Sequence, residues 1–207
     1  MNHDLMKHRQ VLGQDPRLAR ILDTITPYRP RKERDLYFRL MRAISGQQLS
    51  VKAASTIWER FISLFPDKYP HPTLVLALDP EVMRGAGLSY QKASYIKAIA
   101  TFALTNDISY ERLSVMDDEE IITYLTSIRG VGRWTVEMIL MFSLGRKDVF
   151  PADDLGIINA MRSLYNLRVT GKALRLRCIR ISDKWRPYRS YACFYLWPYK
   201  DSLRIPG

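Results

Sequence analysis

Apolar residues recur at intervals of three and four positions along most of this chain, and that spacing places them on one face of an α-helix. The segment SVKAASTIWERFISLF shows the pattern most clearly, because Ser50 can cap its start and the stretch PDKYPHP can end it. Its apolar positions are Val51, Ala54, Trp58, Phe61, Ile62 and Phe65. We therefore predict a helix here with this face buried.

Several other segments have the same periodicity: DLYFRLMRAISG, QKASYIKAIATFAL, EEIITYLTSI, DLGIINAMRSLY and ALRLRCIRISDKW. Asp117 and Asp118 stand where they can cap the third of these. The chain contains no run of strictly alternating apolar and polar residues, and it has no internal repeat. The sequence predicts an all-α fold.

Chain order suggests two lobes. Several of the predicted helices follow one another with short connections, so we predict a central helical domain at 36–145. The segments 1–35 and 146–207 are richer in Pro and Arg and are expected to pack together as a second lobe. A cleft between the lobes would lie close to Asp153 and Asp154.

The charge of the chain narrows the class of partner. Lys and Arg number 32 against 21 Asp and Glu, which gives a net charge of +11. Such a charge favours a polyanion, and nucleic acid ranks ahead of a membrane surface or an acidic protein. No apolar run approaches the ~20 residues of a transmembrane helix. Two cysteines and three histidines show no zinc-binding spacing, so we expect an intracellular protein without a metal cluster.

The stretch LTSIRGVGRWTVEMILMF predicts a helical hairpin. One helix ends near Ile128, the chain turns through Gly130-Val131-Gly132, and a second helix begins at once. Two glycines so close together permit positive φ and let the backbone approach another surface. The first N–H groups of the second helix would then form an anion site. A DNA phosphate is the natural anion for so basic a chain.

Two adjacent carboxylates follow in DVFPADDLGI, at the start of a predicted helix. From pattern alone, Asp153 and Asp154 are either helix caps, or one of them faces a substrate.

Taken together, IRGVGRWTVEMIL and DVFPADDLGI resemble the hairpin and following aspartate of the helix-hairpin-helix DNA glycosylase superfamily, and the 3-methyladenine DNA glycosylase II branch most of all. The resemblance extends to AISGQQLSVKAA, AGLSYQKASYI and WRPYRSYACFYLWP. It implies a two-lobe fold with a DNA-binding cleft and no N-terminal β-domain.

The resemblance implies that Asp154 is the catalytic carboxylate, which stabilises an oxocarbenium-like transition state at C1′. Asp153 is then expected to be the helix cap or a partner. Trp134, Met138 and Trp197 match positions of the substrate pocket, and an indole face attracts a cationic alkylated base. Some relatives carry a Schiff-base lysine where this chain has Trp134, so we expect no cleavage of the abasic site.

The resemblance also implies how DNA is held. One side chain of the turn formed by Gln47, Gln48, Leu49 and Ser50 would wedge into the gap left by the flipped base. Whether Gln48 or Leu49 inserts is left open. The hairpin residues Gly130, Val131, Gly132 and Arg133 would bind phosphate. The carbonyl groups of Thr126, Ile128 and Val131 would hold a structural Na⁺ or K⁺, and no iron–sulfur cluster is expected.

The predicted function is therefore excision of alkylated purines, of the 3-methyladenine and 7-methylguanine type, from double-stranded DNA in base excision repair. Two alternatives remain: a non-catalytic DNA-binding module, and a glycosylase of the same fold for deaminated or mismatched bases. We expect a monomer that needs no cofactor and binds no membrane. It would be cytoplasmic and nucleoid-associated in a bacterium and nuclear in a eukaryote.

Overall fold

The computed structural model describes residues 2–29 and 33–203, with side chains at 7–29 and 33–203. Over these ranges the chain is helical and contains no strand, which confirms the all-α prediction. The helices are α1 (Asn2–Leu12), α2 (Pro16–Leu22), α3 (Leu36–Gly46), α4 (Val51–Ile62), α5 (Pro72–Ala77), α6 (Pro80–Gly85), α7 (Tyr90–Thr105), α8 (Tyr110–Ser114), α9 (Asp118–Thr126), α10 (Arg133–Phe142), α11 (Leu155–Leu164), α12 (Gly171–Ser182) and α13 (Arg189–Ser202), with a 3₁₀ helix at Asp183–Trp185.

Backbone packing divides the chain into two compact units. The central unit is Lys32–Ile139, and the terminal unit combines Met1–Arg31 with Leu140–Gly207. The sequence predicted 36–145 for the first and 1–35 with 146–207 for the second. The cleft between two lobes stays a prediction.

Helix α7 lies at the centre of the central unit, where α3, α5 and α6 pack against it. Spacings of three and four residues bury one of its faces, which carries Ala93, Ile96, Ile99 and Ala100. Lys97 adds a polar link, because its Nζ donates to the carbonyl oxygens of Leu76 and Leu78 at 3.2 and 2.6 Å. Those carbonyls lie at the end of α5, so the lysine closes that helix.

The predicted face of α4 is buried at Trp58, Phe61 and Ile62, and Phe65 is buried just beyond the helix. Ser50 caps the helix as expected, since its Oγ accepts from the Ala53 N–H at 3.3 Å. The prediction is wrong at Val51, which is 88% exposed. Val51 is the first residue of the helix, where the chain has only just left an exposed turn.

In the terminal unit α11 packs chiefly on α13 and less extensively on α12. Helix α13 was not predicted as a helix for a physical reason. Its five consecutive residues from Ala192 to Leu196 are all buried, so no apolar stripe repeats along it. Pro198 lies inside the same helix, where proline usually ends one.

A buried carboxylate ties the N-terminal segment to the rest of the terminal unit. Asp15 caps α2 and accepts hydrogen bonds from the Tyr165 hydroxyl at 2.7 Å and the Trp185 indole at 3.3 Å. Burial alone would raise the pKa of Asp15, but the bonds from Tyr165, Trp185 and two backbone N–H groups outweigh it and lower that pKa. The carboxylate therefore stays charged where three segments of the chain meet.

Candidate functional site

The turn between α3 and α4 holds residues 47–50. The Leu49 N–H donates to the Gly46 carbonyl at 3.3 Å. Gln47 has φ −52° and ψ 134°, and Gln48 has φ 59°, so the turn has the form of a type II turn. That positive φ costs a non-glycine residue about 1 kcal/mol or more. Gln48, Leu49 and Ser50 are all exposed, so a strained glutamine and an exposed leucine stand side by side.

The hairpin between α9 and α10 contains two glycines, and its geometry requires glycine at one of them. The Val131 N–H donates to the Ile128 carbonyl at 3.0 Å, and Gly130 has φ +92° inside this turn. A Cβ on Gly130 would lie only 2.2 to 2.6 Å from ring atoms of Tyr95. Glycine is therefore required both by the backbone conformation and by the aromatic ring packed beneath it.

The other glycine differs. Gly132 does not have a positive φ, and a Cβ there would meet no described atom within 4 Å. Within the hairpin, positive φ therefore occurs at Gly130 and not at Gly132. Gly132 is exposed with open space around it, so the absence of a side chain there would serve the close approach of another molecule.

Gly132 directly precedes α10, and its carbonyl accepts from the Val136 N–H at 3.2 Å. The first N–H groups of a helix have no acceptor within it, and the dipole adds partial positive charge there. Residues 132–134 are exposed, Trp134 by 39%. Met138 follows one turn later on the same side of the helix and is half-buried. The pocket roles of both side chains stay predictions.

Arg133 is held by two carboxylates. Its Nη1 and Nη2 both bind Glu119, the first at 3.0 Å, and its Nε lies 3.2 Å from Oε1 of Glu137. The hydrogen bonds from Arg133 lower the pKa of Glu119. The arginine charge is therefore balanced within the protein, and a DNA contact by Arg133 stays a prediction.

The three carbonyl groups proposed to hold a monovalent cation lie around the same turn. Thr126 ends α9, and Ile128 and Val131 are the ends of the hydrogen bond that closes the hairpin. A carbonyl oxygen has two lone pairs, so the Ile128 oxygen can still serve as a ligand while it accepts that bond. The cation stays a prediction.

Helix α7 supports both the turn and the hairpin. Lys92 Nζ donates to the Ser45 carbonyl at 2.9 Å, next to the turn, and burial lowers the pKa of this lysine. Three residues later, Tyr95 packs beneath Gly130, and its hydroxyl accepts from Gln91 at 2.7 Å. Lys92 and Tyr95 therefore support these two segments. No pattern in the sequence indicates which segments they support.

Asp154 is the N-cap of α11. Its Oδ1 accepts from the Ile157 N–H at 2.8 Å and from the Trp197 indole N–H at 3.2 Å, and the residue is only 9% exposed. Asp153 was expected to be the cap or a partner, and it is not the cap. Asp153 instead forms an exposed ion pair with Arg175, with Oδ1 3.0 Å from Nη1. Asp154 can therefore cap the helix and also face a substrate, so the two interpretations of this aspartate pair do not exclude each other.

An aromatic cluster adjoins Asp154. The Trp197 ring stacks on Phe142 with ring centres 5.6 Å apart and planes inclined by 29°. Phe194 lies 5.6 Å from Phe142, and Tyr28 packs edge-on against Phe142 at 5.3 Å. Trp197 was predicted, but Phe142, Phe194 and Tyr28 were missed, because nothing in the sequence shows that these rings meet in the folded chain.

Gly156 shows how close these groups lie. A Cβ at this position would be 3.0 Å from Oδ1 of Asp154 and 3.3 Å from Cδ1 of Trp197. Both approaches are shorter than ordinary contact distances. The glycine in LGI therefore lets the first turn of α11 carry the carboxylate against the indole.

Other chemistry finds little support in the described part of the chain. No group of three or more His, Cys, Asp or Glu side chains there could hold a metal ion. Cys178 and Cys193 are buried and form no disulfide. None of the helices that the structure describes is long and apolar enough to cross a bilayer.

The sequence is similar to that of known DNA repair proteins. A family model described as "HhH-GPD superfamily base excision DNA repair protein" matches residues 41–179. DNA-3-methyladenine glycosylase 1 of Schizosaccharomyces pombe is 38% identical over 183 residues, which cover 87% of this chain and 79% of that protein. The protein YfjP of Bacillus subtilis is 36% identical, and the match covers 78% of this chain but 58% of YfjP.

The fold is also similar to that of a solved DNA glycosylase structure. The 3-methyladenine DNA glycosylase Mag1 of Schizosaccharomyces pombe, in complex with abasic DNA, superimposes with a TM-score of 0.81 at 36% identity. The superposition covers 92% of this chain and 95% of that one. The chain therefore belongs to the HhH-GPD superfamily of base excision DNA repair proteins.

Proposed function

We propose that this protein is a monofunctional DNA glycosylase that removes alkylated purines from double-stranded DNA. One observation carries the proposal: the buried carboxylate of Asp154 is fixed at the start of α11 by a backbone N–H and by the Trp197 indole. Relatives named as DNA-3-methyladenine glycosylases support the substrate class.

In the proposed reaction the bond between C1′ and the base nitrogen breaks, and its electron pair leaves with the base. Positive charge develops on C1′ and the ring oxygen of the sugar, and the Asp154 carboxylate stabilises it. The oxygen of a water molecule then bonds to C1′, and the proton that the water loses passes to the Asp154 carboxylate. An alkylated purine that is cationic becomes neutral as it leaves, so no acid is needed to protonate it.

The aromatic cluster suits such a base. The face of an indole attracts a cation by about 0.5–2 kcal/mol, depending on exposure. Trp197 is proposed to offer that face, while its stacking on Phe142 holds the ring in place. A contact of Trp134 and Met138 with the base is proposed from the family resemblance alone.

The central unit is proposed to hold the DNA. The exposed start of α10 offers backbone N–H groups to a phosphate, and Gly132 lets the strand come close. The turn at 47–50 is proposed to fill the gap left by the flipped nucleotide. Its exposed Leu49, the neighbouring exposed Val51 and its strained Gln48 support this role, because backbone strain is retained mostly where it serves a function.

The absence of strand cleavage is also a proposal. Trp134 occupies the position of the Schiff-base lysine of bifunctional relatives, and an indole cannot form a Schiff base. Incubation with abasic-site DNA in the presence of borohydride should trap no covalent adduct and give no nicked strand. A trapped adduct would show that another amine takes the place of that lysine.

The test of the whole proposal is base release. Purified protein is incubated with DNA methylated at adenine N3 and guanine N7, and with duplexes that contain hypoxanthine or ethenoadenine. Release of methylated purines is the expected result. Release of only deaminated bases would favour the other glycosylase class. Firm binding of duplex without any release would favour a non-catalytic module.

A further inference from the structure

A second basic surface lies in the terminal unit, away from Asp154. Between Leu155 and Ser182 the chain has no acidic residue, but it has six basic ones: Arg162, Arg168, Lys172, Arg175, Arg177 and Arg180. Four of these arginines line two adjoining hollows of about 540 and 500 Å³, which share residues 166–168. We call this surface the arginine groove. Its arginines are Arg162, Arg168, Arg177 and Arg180.

The arginine groove carries charge without counter-charge. None of its four guanidinium groups forms an ion pair with any residue that the structure describes. Nearby arginines of the same unit behave differently, since Arg175 pairs with Asp153 and Arg189 pairs with Asp148. Holding four exposed like charges together is unfavourable, so an anionic partner that binds there gains from relieving the repulsion.

The polar groups of the groove match phosphate. Asn159, Ser163 and Asn166 line it beside the arginines, and each can donate to a phosphate oxygen. A guanidinium binds phosphate through two parallel hydrogen bonds, which makes arginine the preferred partner of that group. Apolar side chains also line the second hollow, at Leu167, Val169, Ala173 and Leu176. The guanidinium groups and the side-chain donors together fit a nucleic-acid backbone, and an acidic protein segment is the alternative that the test distinguishes.

The position of the groove separates it from the proposed active site. Asp154 caps the N-terminal end of α11, whereas Ser163, Asn166 and Arg168 lie at or beyond its C-terminal end. The ten residues of this helix span about 15 Å. A nucleotide whose sugar reaches Asp154 therefore lies at the N-terminal end of the helix, whereas Arg162 and Arg168 of the groove lie near or beyond its C-terminal end.

We propose that the arginine groove binds the sugar–phosphate backbone of a second duplex segment while a first duplex occupies the site at Asp154. The inference rests on the function proposed above, since it takes DNA as the substrate. A protein with both sites can bind a new segment before it releases the old one, and so pass directly between segments during its search for damage.

The test uses Arg162→Gln, Arg168→Gln and Arg177→Gln combined in one groove variant. The matched control combines Lys7→Gln, Arg20→Gln and Lys184→Gln, which remove the same charge from dispersed exposed positions of the same unit. Each protein is saturated with a short duplex that contains a stable abasic analogue. A second, fluorescent undamaged duplex is then titrated and its anisotropy measured at several salt concentrations.

Wild type and control should bind the second duplex, and the groove variant should bind it about tenfold or more weakly. Its salt slope should be shallower by about 0.9 for each phosphate that the variant no longer neutralises. Release of the first duplex should accelerate with free duplex concentration in wild type and control but not in the groove variant. Equal binding of the second duplex by groove variant and control would overturn the proposal.

Two further arms remove the alternatives. If the groove variant instead lost affinity for the first duplex, the groove would bind a flanking arm of the same DNA and the proposal would be wrong. Tighter binding of polyglutamate than of duplex by the groove would assign it to an acidic protein. Single-turnover base release should be the same in all three proteins. Failure of wild type to release any base would overturn the proposed function while leaving the second-duplex titration readable.

Discussion

The substitution Asp154→Asn separates the charge of this side chain from its structural role. Asparagine keeps an Oδ1 acceptor, so the bonds from the Ile157 N–H and the Trp197 indole, at 2.8 and 3.2 Å, can both remain. Asparagine caps a helix about as well as aspartate, so the free energy of unfolding should change by only a few tenths of a kcal/mol. The substitution therefore removes the negative charge and little else.

The loss of that charge should be large in the rate. A carboxylate about 4 Å from a unit positive charge contributes about 4 kcal/mol at an effective dielectric constant of about 20. If the sugar carries most of that charge in the transition state, base release should slow by about a thousandfold. The measurement is single-turnover release of 3-methyladenine, with thermal unfolding and affinity for undamaged duplex measured in parallel. Both of these should stay close to wild type.

Asp153→Asn is the matched control, because it removes a charge from the adjacent residue. It breaks the ion pair with Arg175, in which the two side chains are 46% and 48% exposed. Exposed pairs of this kind contribute about 1 kcal/mol or less, and excision should fall by no more than about threefold. A folded Asp154→Asn protein that released base within about tenfold of wild type would refute the role of Asp154. An equal loss in both variants would refute it as well.

Four other substitutions test the remaining parts of the site. Gly132→Ala should fold normally, because a Cβ there meets open space, but it should weaken binding to all duplexes and flatten the salt slope by about 0.9 for each phosphate no longer bound. Gly130→Ala should instead unfold more easily. Unchanged DNA binding by Gly132→Ala would mean that the hairpin is only a turn. Gln48→Gly should raise the free energy of unfolding by about 1 kcal/mol, because glycine adopts a φ of 59° without strain. The same substitution should slow base release. Faster base release would contradict a wedge role for Gln48. Trp197→Phe keeps an aromatic ring but loses the hydrogen bond to Asp154, so base release should slow by about tenfold while affinity for undamaged duplex is unchanged. An unaltered rate of base release would mean that the indole N–H does not position the carboxylate.

The helices could be predicted where their stabilisation is local. Ser50 as a cap and the buried stripe of α4 follow from residue types at fixed spacing. Asp117 likewise begins α9, where its N–H donates to Glu120 at 2.9 Å. Helix α13 could not be predicted in this way, because five adjacent buried residues give no period. Such a helix is recognised only from the elements that surround it, here mainly α11.

The candidate site was predicted as a set of residues but not as an arrangement. The spacing in PADDLGI placed a carboxylate at the start of a helix, yet it could not show which aspartate is the cap. Nor could it show that the capping Asp154 also accepts a hydrogen bond from Trp197, which is 43 residues away in the sequence. The stacking partner of Trp197 is Phe142, which ends a different helix. Contacts between distant segments have no periodicity, so only the folded chain shows them.

Helix α7 holds both the strained turn and the hairpin of the central unit. Lys92 holds the carbonyl next to the turn at 47–50, and Tyr95, three residues further along α7, fills the space beneath Gly130. Three residues correspond to about 4.5 Å along a helix axis, and the buried Ile96 and Ile99 fix that helix in the core. The distance between turn and hairpin is therefore set when the protein folds and not when DNA binds. A surface ordered in advance loses less entropy on binding, and the surrounding core can hold Gln48 at a φ that its own chemistry disfavours.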